Sequence, residues 1–313
     1  MKKMKKAASL VIVMALGVSV LVGCSAGGGE KKQEDSQASS GESTSGEGIG
    51  FSVSTLNNPF FVTLSDGAKN AAKENGIQLS VVDAGDDSAK QISDIEDLIS
   101  KNIKVLIVNP VDSDAVASAV ESAMEKGIKV IAVDRAVNGV DVESQIASDN
   151  VAGAKMAAEY LKKMVGDGAK VAELEGVPGA SATIDRGQGF HEVADKDFKV
   201  VSSQTANFNR AEGLSVMENI LQADGDITGV FAHNDEMALG AIEAIASTGK
   251  DIKVVGFDAT DDARKAVEDG TMAATVAQQP ELMGKTAVET AINIIEGKSV
   301  EKSIPVEVTL VKK

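Results

Sequence analysis

The residues best equipped to hold a ligand stand directly after short β-branched runs. Residues 50–54 lead into Ser54-Thr55-Leu56-Asn57-Asn58-Pro59-Phe60-Phe61, residues 104–108 into Asn109-Pro110, and residues 129–133 into Asp134-Arg135. Later runs end in Asn234-Asp235, in Phe257-Asp258 and in Gln278, while Arg186 and Phe208 fall in or near loops expected on the same edge. Amides, carboxylates, guanidinium groups and phenyl rings together suit a small polyol. A hydroxyl is donor and acceptor at once; a carboxylate accepts from neighbouring hydroxyls, a guanidinium donates to them or to a ring oxygen, and an amide does both. Phenyl faces cover C–H surfaces, a task left to phenylalanine in a chain without tryptophan. Hydrogen bonds involving charged groups contribute about 1.5–3 kcal/mol each, and a buried group without its partner is costly. Such a set can separate ligands by the orientation of one hydroxyl.

Each member also has a purely structural use. Asn58 before Pro59 has the form of a helix N-cap with proline at the first helical position. Phe60 and Phe61 have the character of core residues. Asn109-Pro110 and Asp134 are turn formers, and Arg135 and Arg186 could form surface ion pairs. Phe257 fits a sheet core best. The functional reading rests on shared placement, because ligands of open α/β sheets bind beyond the carboxyl ends of the strands.

The elements that would position these residues follow from periodicity. In the first half, strands are predicted over 50–54, 78–82, 104–108 and 129–133, with helices over 59–74, 89–100 and 114–125 between them. Ile92, Ile95 and Ile99, and Val116, Val120 and Met124, make one-sided stripes at helical spacing. Gly76 and Gly127 stand where a helix-ending glycine is expected. The second half repeats the scheme, with strands over 170–174, 199–203, 229–232, 253–256 and 273–277. Its helices are predicted over 152–164, 210–222, 236–247, 261–268 and 282–295, and a last strand over 304–311. Strand–helix alternation with nearly continuous apolar strands predicts parallel sheets covered on both faces. The strands are too many for one comfortable sheet, so two doubly wound lobes are expected, with a crossing at Ile146-Ala147-Ser148-Asp149-Asn150.

The amino terminus reads as an export signal. Lys2, Lys3, Lys5 and Lys6 precede an apolar run from residue 7 to 22 that ends in Leu21-Val22-Gly23-Cys24. That tetrapeptide resembles the bacterial lipobox, whose cysteine is acylated and becomes the first mature residue. Cys24 is the one cysteine in the chain, so the expectation is a signal peptide over 1–23 and a lipidated Cys24. Residues 25–48 are mostly Gly, Ser, Glu, Lys and Gln, too polar to repay the entropy of ordering. With Cys24 they form a flexible tether of roughly 27 Å root-mean-square reach.

Composition and missing motifs exclude other chemistry. The 313 residues are 43% hydrophobic and 25% charged, with a net charge of −16, and loss of the lysine-rich head would leave the body more acidic still. Such a body gains nothing from phosphate backbones, so nucleic acid is not expected as a partner. One cysteine and two histidines leave no disulfide and little for a metal site. Gly284-Lys285-Thr286 lacks the earlier glycine of a phosphate loop, Gly187-Gln188-Gly189 lacks the third glycine of a dinucleotide fingerprint, and no G-x-S-x-G elbow occurs. Residues 83–87 are acid-rich but do not make a calcium loop. His191 and His233 are isolated, each expected at the surface or at a strand end. Asp134 and Asp258 could be imagined as a glycosidase pair, but flanking Arg135 and amides are expected to keep both ionised. No cofactor and no enzymatic step are expected.

From Ser54 to Phe61 the sequence resembles the ribose-binding proteins of bacterial ABC importers, of the type I periplasmic-binding-protein fold. The likeness continues through Asn109–Val116, Ile146–Asn150, Asn234–Ala241 and Val255–Asp258, in order and with few gaps. It implies two Rossmann-like lobes joined by three crossings near 148, 278 and 307: residues 49–148 plus 279–307, and residues 149–278 plus 308–313. It implies Asn58, Asp134, Arg135, Arg186, Asn234, Asp258 and Gln278 as polar ligands, Asn109 lining the cleft, and Phe60, Phe61 and Phe208 as stacking rings. The partners implied are D-ribose or a similar monosaccharide, the permease subunits of an importer with its ATPase, and a membrane through the lipid anchor. The segment 180–185 and Asn209 depart from the family's usual pattern. The core also resembles the effector domain of LacI-type repressors, but an export signal stands where their helix-turn-helix would be. Other uses of the same fold are capture of another sugar such as allose, or a sugar sensor presenting its closed form to a chemoreceptor or kinase.

Overall fold

The computed structural model describes residues 48–313, so the expected signal peptide, Cys24 and nearly all of the expected tether lie outside the described residues. β1 (Ile49–Val53), β2 (Leu79–Asp83), β3 (Val105–Val108), β4 (Lys129–Val133), β5 (Ser144–Ser148) and β11 (Ser303–Val306) form one sheet. Its order is β11-β5-β4-β3-β1-β2, with every neighbouring pair parallel. A second sheet holds β6 (Ala169–Glu175), β7 (Phe198–Thr205), β8 (Gly229–Ala232), β9 (Lys253–Asp258), β10 (Ala274–Ala277) and β12 (Thr309–Lys312) in the order β12-β10-β9-β8-β6-β7. Here β12 runs antiparallel to β10, so the expectation of purely parallel sheets fails at this edge. Central strands β3, β8 and β10 are buried along their whole length, as apolar strands covered on both faces must be.

Helices cover the faces. On the first sheet α1 (Pro59–Glu74) and α9 (Pro280–Ile295) join one core with Phe51, Leu64, Met283 and Val288, and α2 (Ser88–Ser100) and α3 (Ala117–Glu125) join another with Ile95, Leu106 and Val120. On the second, α4 (Asn150–Val165) and α5 (Ser181–Asp197) meet at Leu161, Phe190 and Phe257, while α6 (Arg210–Ala223), α7 (Asp235–Ala246) and α8 (Asp261–Asp269) share Met217, Met237 and Val267. The strand order reverses at β1/β3 and at β6/β8, and a crevice opens beyond the carboxyl ends at such reversals. The chain passes between the sheets after β5, after β10 and between β11 and β12.

Three features differ from the periodic reading. Residues 146–148 end a strand, β5, whose sequence SQIAS carries one large apolar side chain and so gives no apolar run. The single last strand is two, β11 and β12, one in each sheet. Arg186 lies in α5 and not in a loop. The buried face of that helix includes Ala182, Arg186 and Gly189. Small and charged residues on a buried stripe erase the hydrophobic period.

Candidate functional site

A cavity with about 240 Å³ of empty space lies between the strand ends of the two sheets. It is lined by Asn58, Phe60, Phe61, Asp134, Arg135, Ala182, Arg186, Phe208, Asn234, Asp258 and Gln278. An open chamber of about 560 Å³ adjoins it and shares Phe60, Asp258 and Gln278. Every expected ligand residue lines the cavity except Asn109, which stands behind it.

Local structure aims these side chains. Asn58 Oδ1 accepts from Phe60 N at 2.9 Å and caps α1, so capping and cavity lining coexist in one residue. Phe60 and Phe61 meet edge to face at 5.1 Å, both buried in the first core. Asn234 Oδ1 caps α7 through Met237 N (3.0 Å) while its Nδ2 donates to Phe208 O (3.2 Å). Asp134, Phe208 and Asp258 have φ of 64°, 58° and 118°. Such left-handed backbone costs non-glycine residues of order 1–3 kcal/mol each and clusters at functional sites. Phe208 also depends on Gly176, where a Cβ would collide with the ring.

Two guanidinium groups are stacked among the rings. The Arg135 guanidinium carbon lies 5.1 Å from the Phe61 ring and 5.3 Å from Phe208. That of Arg186 lies 3.9 Å from Phe257 and 5.8 Å from Phe208. Phe257 is thus both sheet core and stacking surface. Arg135 NH1 donates to Pro110 O at 2.8 Å, and its Nε stands 3.7 Å from Asp134 Oδ2. Arg186 donates from Nε to Asn150 Oδ1 (2.9 Å) and from NH1 to His233 O (2.6 Å), with Asp258 Oδ1 at 3.7 Å. Gln278 Nε2 donates to Asp258 Oδ1 at 2.7 Å. Arg135 Nε and Gln278 Oε1 are buried with no hydrogen-bond partner among the described residues.

Burial pushes the Asp134 and Asp258 carboxyls above their ordinary values, against the pull of Arg135 and Arg186 on the first and Arg186 on the second. Burial likewise lowers both arginines, opposed by the same carboxylates. The expectation that flanking Arg135 and amides keep these acids ionised therefore omitted the larger effect, desolvation.

Asn109 needs correction. It is fully buried, its Oδ1 accepts from Ser54 N (3.1 Å), and its Nδ2 donates to Asp134 Oδ2 (3.0 Å) and Val133 O (3.2 Å). It orients Asp134 and has no surface to offer a ligand.

Residues 49–299 match the family model described as a periplasmic binding protein domain. The chain belongs to the periplasmic binding protein family. This periplasmic binding protein is 52% identical over 301 residues to the ribose import binding protein of Bacillus subtilis, covering 96% of this chain and 97% of the relative. It is 45% identical over 312 residues to the ribose import binding protein of Escherichia coli, with 99% of each chain covered. Its structure matches that of a Caulobacter myo-inositol binding protein bound to myo-inositol with a TM-score of 0.81 at 35% identity, covering 85% of this chain and 93% of that one. Membership of this family implies work outside the cytoplasm.

Several supports of the site carry no sequence signal. Glu173 accepts from buried His233 at Oε1 (3.0 Å) and lies 3.1 Å from His191 at Oε2, which also accepts from Ser203 Oγ (2.7 Å). Burial raises Glu173, yet His233, Ser203 and His191 outweigh it and leave the carboxyl below its ordinary value. This pair holds the strand end whose carbonyl fixes Arg186. His233 is therefore a buried strand-end residue, and His191 is half-exposed on α5. Asp235 holds Thr260 N (2.8 Å) and Thr275 Oγ1 (2.6 Å), and burial pushes its carboxyl up to about 7. Among the described residues no His/Cys/Asp/Glu group could hold a metal, and no helix is long and apolar enough to cross a membrane.

Proposed function

We propose that the protein captures D-ribose in the cavity between the two sheets and delivers it to the permease of an ABC importer, whose separate ATPase supplies the energy. The observation that carries this reading is the pair of unpartnered buried atoms, Arg135 Nε and Gln278 Oε1. One donates and one accepts, and the cavity they belong to is walled by phenyl faces. Burial without a partner costs about 1–3 kcal/mol per group, so a ligand offering both an acceptor and a donor is favoured. A ring carrying several hydroxyls does so, and the ribose import names of the relatives at 52% and 45% identity point to the pentose. The chemistry is recognition alone, with Asp134 and Asp258 as acceptors held by their neighbours.

In this reading residues 49–148 plus 279–307 move as one lobe and residues 149–278 plus 308–313 as the other. Sugar contacts completed from both sides favour closure, and the permease reads the closed form. A lipid on Cys24 holds the body at the outer face of the membrane through the tether. Calorimetry with D-ribose, D-allose and D-arabinose tests the ligand. Tight binding of D-ribose above the others is expected; tighter allose binding would reassign the sugar, and no binding of any would refute capture. Cys24→Ala should release the protein from the membrane, and absence of labelled palmitate on the native chain would remove the anchor.

A further inference from the structure

Away from the cavity the two halves touch through the loops that follow β3, β4 and β6. Ser113 N donates to Gly179 O at 3.0 Å, Ser181 N to Ser113 Oγ at 3.1 Å, and Ala136 N to Ser181 Oγ at 2.9 Å. Ser113 and Ala136 belong to segments leaving the first sheet, Gly179 to the segment between β6 and α5 of the second and Ser181 to the first position of α5. Ser113 is fully buried in this contact. None of the four lines the cavity. Gly179 has φ 86°, and a Cβ there would collide with the Asp112 carboxylate across the contact, so the approach needs a glycine.

We propose that Ser113, Gly179 and Ser181 form a latch that sets sugar affinity without touching the sugar. These hydrogen bonds join the two halves directly, so they exist only while the halves are closed. When the halves part, the same groups are solvated by water. Their net contribution therefore enters the closing equilibrium alone, and apparent affinity scales with the closed-competent fraction. The three are positioning residues for capture, and the inference rests on the sugar-binding reading above.

The test compares the full chain with Ser113→Ala/Ser181→Ala. The double substitution removes both hydroxyl acceptors and leaves the amides of Ala136 and Ser181 unpaired in the closed form. At about fivefold per hydrogen bond, D-ribose affinity by calorimetry should fall roughly 20-fold or more. Sugar release in stopped flow should quicken, association should change little, and the sugar-free melting temperature should stay put. Spin labels at Glu96→Cys and Glu218→Cys, with Cys24→Ser in both chains, should show fewer short distances in the sugar-free double variant. Affinity within threefold of native overturns the latch. So does a melting temperature that falls in step with affinity, since that assigns the serines to folding. If the native chain binds no D-ribose, the function above fails while the label distances still judge the latch, and identical distributions overturn it.

Discussion

Asp134→Asn changes one atom type at a site whose orientation the surrounding structure dictates. Ser54 N fixes Asn109 Oδ1, which turns Asn109 Nδ2 towards Asp134 Oδ2 at 3.0 Å. An asparagine at 134 must therefore keep its oxygen at the Oδ2 position, and its amide nitrogen takes the place of the oxygen left for the ligand. An acceptor for sugar hydroxyls becomes a donor. Losing one to two charge-assisted hydrogen bonds, at about 1.5–3 kcal/mol each, gives a loss of about 1.5–6 kcal/mol. That is roughly 12- to 20,000-fold in dissociation constant. Asparagine tolerates the φ of 64° at this position, but buried Arg135 loses an opposing charge, so sugar-free stability should fall as well. Calorimetry for affinity and urea unfolding for stability would be run on the same preparation. Affinity within tenfold of native would refute the chain of orientation from Ser54 to Asp134.

Because burial raises Asp134 and Asp258, and protonation turns one acceptor oxygen of each into a donor and removes the charge, affinity should be full above their raised pKa values and fall on acidification. The decline should begin at a pH above the ordinary carboxylate range, read by calorimetry at stepped pH. Asp235, pushed up to about 7, contributes stability that is full below its unfolded value and lost as pH rises through about 7. Urea unfolding from pH 5 to pH 8 should show this loss in the native chain and much less of it in Asp235→Asn; parallel curves would be the contrary result. Glu173→Ala leaves the buried His233 ring N–H without its acceptor and should cost about 1–3 kcal/mol of stability, measured by urea unfolding. It should also weaken sugar binding through the carbonyl that fixes Arg186.

The parts of the fold that bury large apolar side chains in rows were legible in the sequence. VLIV of β3, KVIAV of β4 and KVVGFD of β9 are runs of that kind, and the helices between them carry clear stripes. β5 was not legible, because its partners β4 and β11 supply the burial that its own side chains do not. Nor was α5, whose close approach to α4 requires Gly189 where a stripe would show a large residue. At the site, strand-end position indicated which residues gather, since that depends on topology. It could not indicate which way an amide faces. Asn109 and Asn234 both follow strands, yet one is consumed by Ser54, Val133 and Asp134 while the other keeps a place on the cavity wall. Ala182 carried no chemical signal, and only the geometry of α5 brings it to the wall.

The tail of the chain has a consequence for the order of assembly. The first sheet is finished by α9 and β11, which are synthesised after β6 to β10 and α4 to α8 of the second half. Until residue 295 has been made, the face carrying Phe51, Phe60 and Leu64 has no Met283 or Val288 to cover it. The half that begins first thus waits for contacts more than two hundred residues apart, and such distant closures are slow. A polypeptide built this way stays unfinished until its last residues have been made.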